Sequence, residues 1–219
     1  MTRTMAFTTL AIAAVLLAGL CASAEAVPCP AGSLSPYEAA GFSCQVGPMT
    51  FEDFTFIASL SATAPSGSAS IDASGPNVVS IFQSGNEFGL TFTYPQSASG
   101  STALVDFFPD FEVVGPIADA FLSFSGNIVG SAQATASLAL SNGETLSLSA
   151  PGSGFLAFAR VPNVHSTLHI VDMSTGGTAT TTSFTVAFST PQPATLALLG
   201  LGLAALGLSR RRRRRRAIS

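Results

Sequence analysis

The sequence predicts an all-β fold, a β-sandwich of jelly-roll type, and three observations carry that expectation. Hydrophobic residues from Met49 onward recur with period two, Gly, Pro, Asn or Ser breaks the pattern about every 8 to 12 residues, and no stretch of helical period lies between them. Phe54, Phe56 and Leu60 lead, followed by Val79 and Ile81, then by Phe88, Leu90, Phe92 and Tyr94 with Thr91 and Thr93 on the opposite face. Phe121, Phe124, Leu138, Leu140, Leu146 and Leu148 continue the series, and Phe184, Val186 and Phe188 close it with a clean inside–outside strand. Punctuation falls at Pro65-Ser66-Gly67, Gly75-Pro76-Asn77, Ser84-Gly85-Asn86, Gly115-Pro116, Asn142-Gly143 and Gly176-Gly177, of which Asn142-Gly143 reads as a two-residue hairpin. About ten strands in one domain argue for a sandwich. Residues 131–139 and 178–182 are rich in Ala, Ser and Thr on both faces and read as weakly specified strand, with Ser189 and Thr190 as a short linker.

A small module precedes the strands. Cys29 and Cys44 stand 15 positions apart in a stretch that leaves the cytoplasm, and one disulfide between them is worth about 3 kcal/mol. Inside that loop Ser35 reads as an N-cap, Pro36 as the first helical position, Glu38 as the partner of a capping box, and Gly41 as the end of a single turn. The pair has neither Cys-x-x-Cys spacing nor a nearby His, which argues against redox or catalytic use.

Both ends read as addresses. Met1-Thr2-Arg3, an apolar run from Leu10 to Leu20 and Ala22-Ser23-Ala24 describe a signal peptide over residues 1–24, cleaved before Glu25 or, as a second choice, after Ala26. Cys21 is not a lipidation site on this reading, because bulky Leu20 precedes it. At the other end Pro191-Gln192-Pro193 is followed by apolar Ala194 to Leu208, Ser209 and the unbroken run Arg210, Arg211, Arg212, Arg213, Arg214, Arg215 and Arg216. Fifteen helical residues span about 22 Å against a bilayer core of about 30 Å, so Ala194–Leu208 forms a short transmembrane helix whose arginines snorkel to the headgroups. The arginine run then stays in the cytoplasm as a stop-transfer, and the domain of residues 25–190 lies outside.

Charge follows the same division. Of nine basic residues, all Arg, only Arg160 lies between Glu25 and Thr190, where all twelve acids are found. An acidic domain with one cation excludes nucleic acid as a partner of the main body, because phosphate-backbone sites need several. The lack of any Lys also excludes a Walker-type phosphate loop.

The terminal segment, residues 191–216, resembles the PEP-CTERM sorting segment: Pro-Glu-Pro, a short hydrophobic helix and a basic cluster, with Gln192 here in the position of the Glu. That resemblance implies an exosortase-like transpeptidase of a Gram-negative inner membrane as partner, Pro191, Gln192 and Pro193 as its recognition element, and a link to exopolysaccharide and biofilm. Similar segments occur on some ice-binding surface proteins. The stretch from Cys29-Pro30 through Tyr37, Cys44 and Phe51-Glu52-Asp53-Phe54 also resembles, more weakly, exported domains that precede such segments.

Within the domain the candidate chemistry is sparse. His165, His169 and Asp172 have zinc-like spacing for a helix, but the local pattern is a strand, which sets the two histidines about 13 Å apart. Asp110 and Glu112 share a strand face near Asp106, with Glu52, Asp53 and Asp119 elsewhere; they read as solvated charge, with a Ca2+ site or a glycosidase acid pair as alternatives. No catalytic residue, metal or cofactor is assigned. The expected function is that of an exported, membrane-anchored, non-enzymatic surface or matrix protein. A carbohydrate- or ice-binding module using the Thr91/Thr93 face is the alternative, and a carbohydrate-active enzyme using Asp110 or Glu112 a third reading.

Overall fold

A computed structural model describes residues 27–63, 67–71 and 77–191. The expected signal peptide, Gln192, Pro193, the apolar segment and Arg210–Arg216 lie outside the described residues, as do most of the Pro65-Ser66-Gly67 and Gly75-Pro76-Asn77 turns. The described chain is all β apart from one 3₁₀ turn at Ser35–Glu38. Its strands are β1 (Gly32–Ser33), β2 (Ser43–Val46), β3 (Met49–Ala62), β4 (Ser68–Ile71), β5 (Val78–Ser84), β6 (Glu87–Gly100), β7 (Ala103–Leu140), β8 (Thr145–Leu148) and β9 (Gly152–Ser189). They form one antiparallel sheet in the order β1-β5-β6-β9-β7-β3-β2, with β4 beside β6 and β8 beside β7.

Two 38-residue strands make this sheet curl. The middle of β7, residues 119–124, is flanked on both sides by β9, by residues 184–189 on one edge and 152–157 on the other. Residues 166–174 of β9 are flanked in turn by residues 103–111 and 132–140 of β7. Each long strand therefore passes from one half of the sheet to the other. One layer runs β8, late β7, central β9, early β7, β3, β2; the other runs early β9, central β7, late β9, β6, β5, β1.

Phe rings join the layers. Phe51 of β3 meets Phe188 of β9 at 6.4 Å, Phe92 of β6 meets Phe111 of β7 at 6.4 Å, and Phe107 of β7 meets Phe184 of β9 at 5.8 Å. These rings belong to one continuous core with Leu90, Leu122, Leu138, Leu168 and Ile170. Burial of such rings between facing sheets supplies most of the stabilisation available to a domain with so little charge pairing.

Several local expectations are corrected. Gly115-Pro116 and Gly176-Gly177 are not chain reversals; they lie inside β7 and β9 beside register shifts, where the strands bend between layers. Glycine is required at Gly177, where an added Cβ would sit 2.0 Å from the Val129 carbonyl oxygen. The two-residue hairpin falls at Gly85-Asn86, since Ser84 pairs with Glu87 and Gly85 has φ +62°. Asn142-Gly143 sits in a longer loop closed by the Leu140 amide on the Glu144 carbonyl, with Asn142 Oδ1 accepting from the Glu144 amide. Phe51 and Phe54, three apart, both point inward because a bulge intervenes between Glu52 and Thr55, with Asp53 at φ 54°. Leu60, expected inside, is exposed.

The stapled module holds with a changed cap. Cys29 and Cys44 form a disulfide and are both buried. The 3₁₀ turn begins after Leu34, not Ser35, and no side chain caps it, so there is no capping box. Tyr37, fully buried in this turn, donates its hydroxyl to the Pro30 carbonyl at 2.8 Å and packs edge-on against Phe54 at 5.1 Å. Burial pushes its phenol up to about 12.

Candidate functional site

The zinc-like trio is dispersed by the pleat. In β9 alternate residues face opposite sides, so His165 and His169 point outward while Asp172 is buried. His165 Nε2 lies 2.8 Å from Asp110 Oδ1, and His169 Nε2 lies 2.5 Å from Asp106 Oδ1, with the His169 ring stacked on Phe108 at 4.2 Å. Glu112 Oε1 accepts from Asn163 Nδ2 at 2.8 Å, and Asp110 Oδ1 also accepts from the Thr167 hydroxyl at 3.2 Å. These carboxylates, the sequence candidates for Ca2+ or acid catalysis, are already engaged across the strand pair. Among the described residues no three His, Cys, Asp or Glu converge as metal ligands.

Asp172 belongs to a polar interior at the small-residue end of the core. Its Oδ1 accepts from the Thr181 hydroxyl at 2.8 Å. Burial pushes its carboxyl up to about 6, partly offset by the hydrogen bond from Thr181. Ser174 Oγ, on the same strand face, lies 2.7 Å from the Gly100 carbonyl oxygen and 2.8 Å from the Gly177 carbonyl oxygen, which share its one proton, and so ties the bend to β6.

Thr91 and Thr93 lead to a more organised surface, the outer face of the layer built from β5, β6, late β9, central β7 and early β9. Register places Ser80, Thr91, Thr185, Ser123 and Ser153 in one row across five strand segments. Thr93, Ser183 and Ser125 continue a second row. The hydroxyls are cross-linked: Thr91 Oγ1 lies 2.8 Å from Thr185 Oγ1, and Ser125 Oγ lies 2.8 Å from Ser183 Oγ.

Directly beside the first hydroxyl row stand Phe82, Gly89, Ala187, Phe121 and Phe155. Because Gly89 and Ala187 project almost nothing, the rings of Phe82 and Phe121 reach over them and stack at 5.7 Å, and Phe121 meets Phe155 at 4.8 Å. Phe155 is 61% exposed. The next row is Ser84, Glu87, Ser189, Asp119 and Ala157. Glu87 and Asp119 thus face each other across buried Ser189, about 10 Å apart between strand axes. Desolvation, with the Asp119 charge as a second cause, raises the Glu87 carboxyl above its ordinary range, and the buried Asp119 Oδ1 has no hydrogen-bond partner among the described residues.

Period-two reading could have found this strip. Phe121 and Phe124 cannot share a face in an unbroken strand; Phe124 is buried with Ala120 and Leu122, so Phe121 goes outward with Asp119 and Ser123. Placing both phenylalanines in one alternating series conceals the aromatic strip.

The same face ends at the segment that begins with Pro191. Ser189 is buried between β6 and β7, so it is strand and not linker. Thr190 is held by Asn86, whose carbonyl accepts from the Thr190 amide at 3.2 Å and whose Nδ2 donates to the Thr190 carbonyl at 3.0 Å. Pro191 follows at once. Among the described residues no helix is long and apolar enough to cross a membrane.

Comparison with known proteins adds one match by family: residues 189–215 fit the model of the PEP-CTERM protein-sorting motif. No curated protein matches the chain. Solved structures with partial likeness include TmCBM61 in complex with β-1,4-galactotriose, at 13% identity over 55% of this chain and 86% of that one, TM-score 0.29. The enzymatically active domain of bacteriophage CBA120 tailspike protein 4 shares 11% identity over 58% and 19%, TM-score 0.28. A family two carbohydrate esterase from Cellvibrio japonicus shares 17% over 62% and 36%, TM-score 0.19. At these scores the likenesses carry no functional argument.

Proposed function

We propose that the chain, whose residues 189–215 match the PEP-CTERM protein-sorting motif, is an exported, non-enzymatic surface or matrix protein in which residues 1–24 are a signal peptide, 25–190 a jelly-roll sandwich and 191–216 the sorting segment. The motif match is the observation that carries this reading. Ala194–Leu208 holds the precursor in the inner membrane, Arg210–Arg216 keeps its tail inside, and an exosortase-like transpeptidase reads Pro191, Gln192 and Pro193, whose two prolines favour an extended, accessible backbone. The sandwich is the cargo delivered to the cell surface or the extracellular polymer. Replacing Pro191 and Pro193 by Ala in a host that has such an enzyme tests the assignment: the variant is expected to accumulate in the inner-membrane fraction, and unchanged delivery would contradict it.

A second reading concerns the cargo, and the Phe82–Phe121–Phe155 strip beside the hydroxyl rows favours it. Sugar rings offer apolar C–H faces to aromatic rings and hydroxyls to Ser and Thr, and this surface presents both in adjacent rows. Ice recognition is less well served, because Thr91 and Thr185 bond to each other and the phenylalanines interrupt the hydroxyl array. Depletion of the protein by insoluble polysaccharides, lost in Phe121→Ala and unaccompanied by turnover, supports a carbohydrate-binding cargo; partition into growing ice instead would contradict it.

A further inference from the structure

We propose that the outer face of this layer selects a cationic saccharide, an amino-sugar polymer with free ammonium groups, and that Glu87 and Asp119 are the residues that select it. The inference rests on the carbohydrate reading of the aromatic strip and adds the charge of the ligand to it.

The acid row lies immediately next to the aromatic row: Glu87 is two residues from Gly89 on β6, and Asp119 two residues from Phe121 on β7, all on the outward face. Two carboxylates therefore converge on one side of a stacking platform. Among the described residues no cation answers them. Arg160, the sole cationic residue of the described chain apart from the histidines, lies with Val114, Gly115, Pro116, Val161 and Pro162 along another opening and makes no ion pair among the described residues. The histidines are committed to Asp106 and Asp110 on the opposite layer. Glu87 is held above its ordinary carboxylate range by desolvation and by Asp119, and Asp119 keeps a buried oxygen without a partner among the described residues, so a cation placed between them relieves both.

A simple metal ion would answer the charge but leave the aromatic strip without a role. A pyranose carrying an ammonium answers both: its ring stacks over Phe121, its hydroxyls reach the Ser123 and Thr91 row, and its ammonium sits toward Glu87 and Asp119, with further attraction from the ring faces. A neutral sugar gains only the first two of these contacts.

Calorimetric titration of the full chain in detergent with glucosamine tetramer, N-acetylglucosamine tetramer and cellotetraose, each with and without Ca2+, tests the inference. Glucosamine tetramer is expected to bind about tenfold more tightly than the neutral oligomers, without Ca2+, and Glu87→Gln or Asp119→Asn should remove that preference while leaving neutral binding intact. Phe121→Ala should weaken all three. Equal affinity for charged and neutral oligomers, or binding that requires Ca2+, overturns the proposed selectivity and leaves the carbohydrate reading standing. Absence of all binding, or indifference to Phe121→Ala, overturns both. Circular dichroism of each variant separates these outcomes from misfolding, and a variant that fails to fold is replaced by Glu87→Ala or Asp119→Ser.

Discussion

Phe82 and Phe121 stack at 5.7 Å although two strands, β6 and late β9, lie between their own, because the intervening positions are Gly89 and Ala187. The contact makes a continuous aromatic strip from rings that a sheet with ordinary side chains would hold apart. It also makes Gly89 a position with little latitude. An added Cβ there would lie 2.1 Å from the Val186 carbonyl oxygen and 2.5 Å from Ala187 Cα, both backbone atoms that cannot swing aside. Gly89→Val is expected to lower the unfolding free energy by about 1–3 kcal/mol in urea titration and to weaken saccharide binding as the rings part.

The strip was hard to see in the sequence for a specific reason. The all-β class, the Phe-rich core and the Cys29–Cys44 link were legible, because alternation, turn residues and cysteine count are local signals. Which half of the sheet a strand belongs to is not local. β7 and β9 each serve both layers, and the glycines that allow the bends, Gly115 and Gly176, look like turn residues until the register is known. The Glu87–Asp119 relation spans 31 intervening positions and depends on Ser189 of β9, far downstream, lying between the two, which no short window contains. The capping box at Ser35 failed differently: the signature is present, but a 3₁₀ turn of four residues starts one residue earlier and leaves Ser35 inside it.

Asp172 gives the domain an inverted pH dependence. Its folded carboxyl is pushed up to about 6 by burial, against an ordinary value of 3.8 in the unfolded chain. The folded state therefore binds the proton more tightly, and stability contributed by this group is present below about pH 4 and lost as pH rises through 6, by about 3 kcal/mol at most. Asp172→Asn should be more stable than the parent at pH 7.5, with most of that advantage gone at pH 4. Urea midpoints at the two pH values check this, and an advantage that grows on acidification would be the wrong sign.

The outward His–Asp pairs are expected to contribute little. His165 is paired with Asp110 at a site where the two side chains keep 48% and 31% of their exposure, so solvent screens the interaction. Replacing His165 by Gln should shift the unfolding free energy by less than about 1 kcal/mol, and elemental analysis should find no stoichiometric zinc to lose.

Reduction of the Cys29–Cys44 link tests the stapled module. The loop it closes holds Tyr37, whose hydroxyl bonds to Pro30 and whose ring meets Phe42 at 5.0 Å and Phe54 at 5.1 Å. Reduction should cost about 3 kcal/mol, and in spectrophotometric titration the tyrosine that ionises near 12 should move toward 10.

Asn86 controls how near the sorting segment comes to the folded domain. Its side chain holds the Thr190 carbonyl at 3.0 Å, one residue before Pro191. Asn86→Ala should release about 1 kcal/mol of local protection, seen as roughly fivefold faster hydrogen exchange at the Thr190 amide, without a comparable change at Phe184.

Intact-mass measurement of the mature protein, recovered from a host with an exosortase-like enzyme, bears most directly on the sorting assignment. The account predicts a chain that begins at Glu25, or at Val27 if cleavage follows Ala26, ends near Pro193 and lacks Arg210–Arg216. A mass that retains the arginine run would contradict processing at this segment and leave a plainly anchored membrane protein.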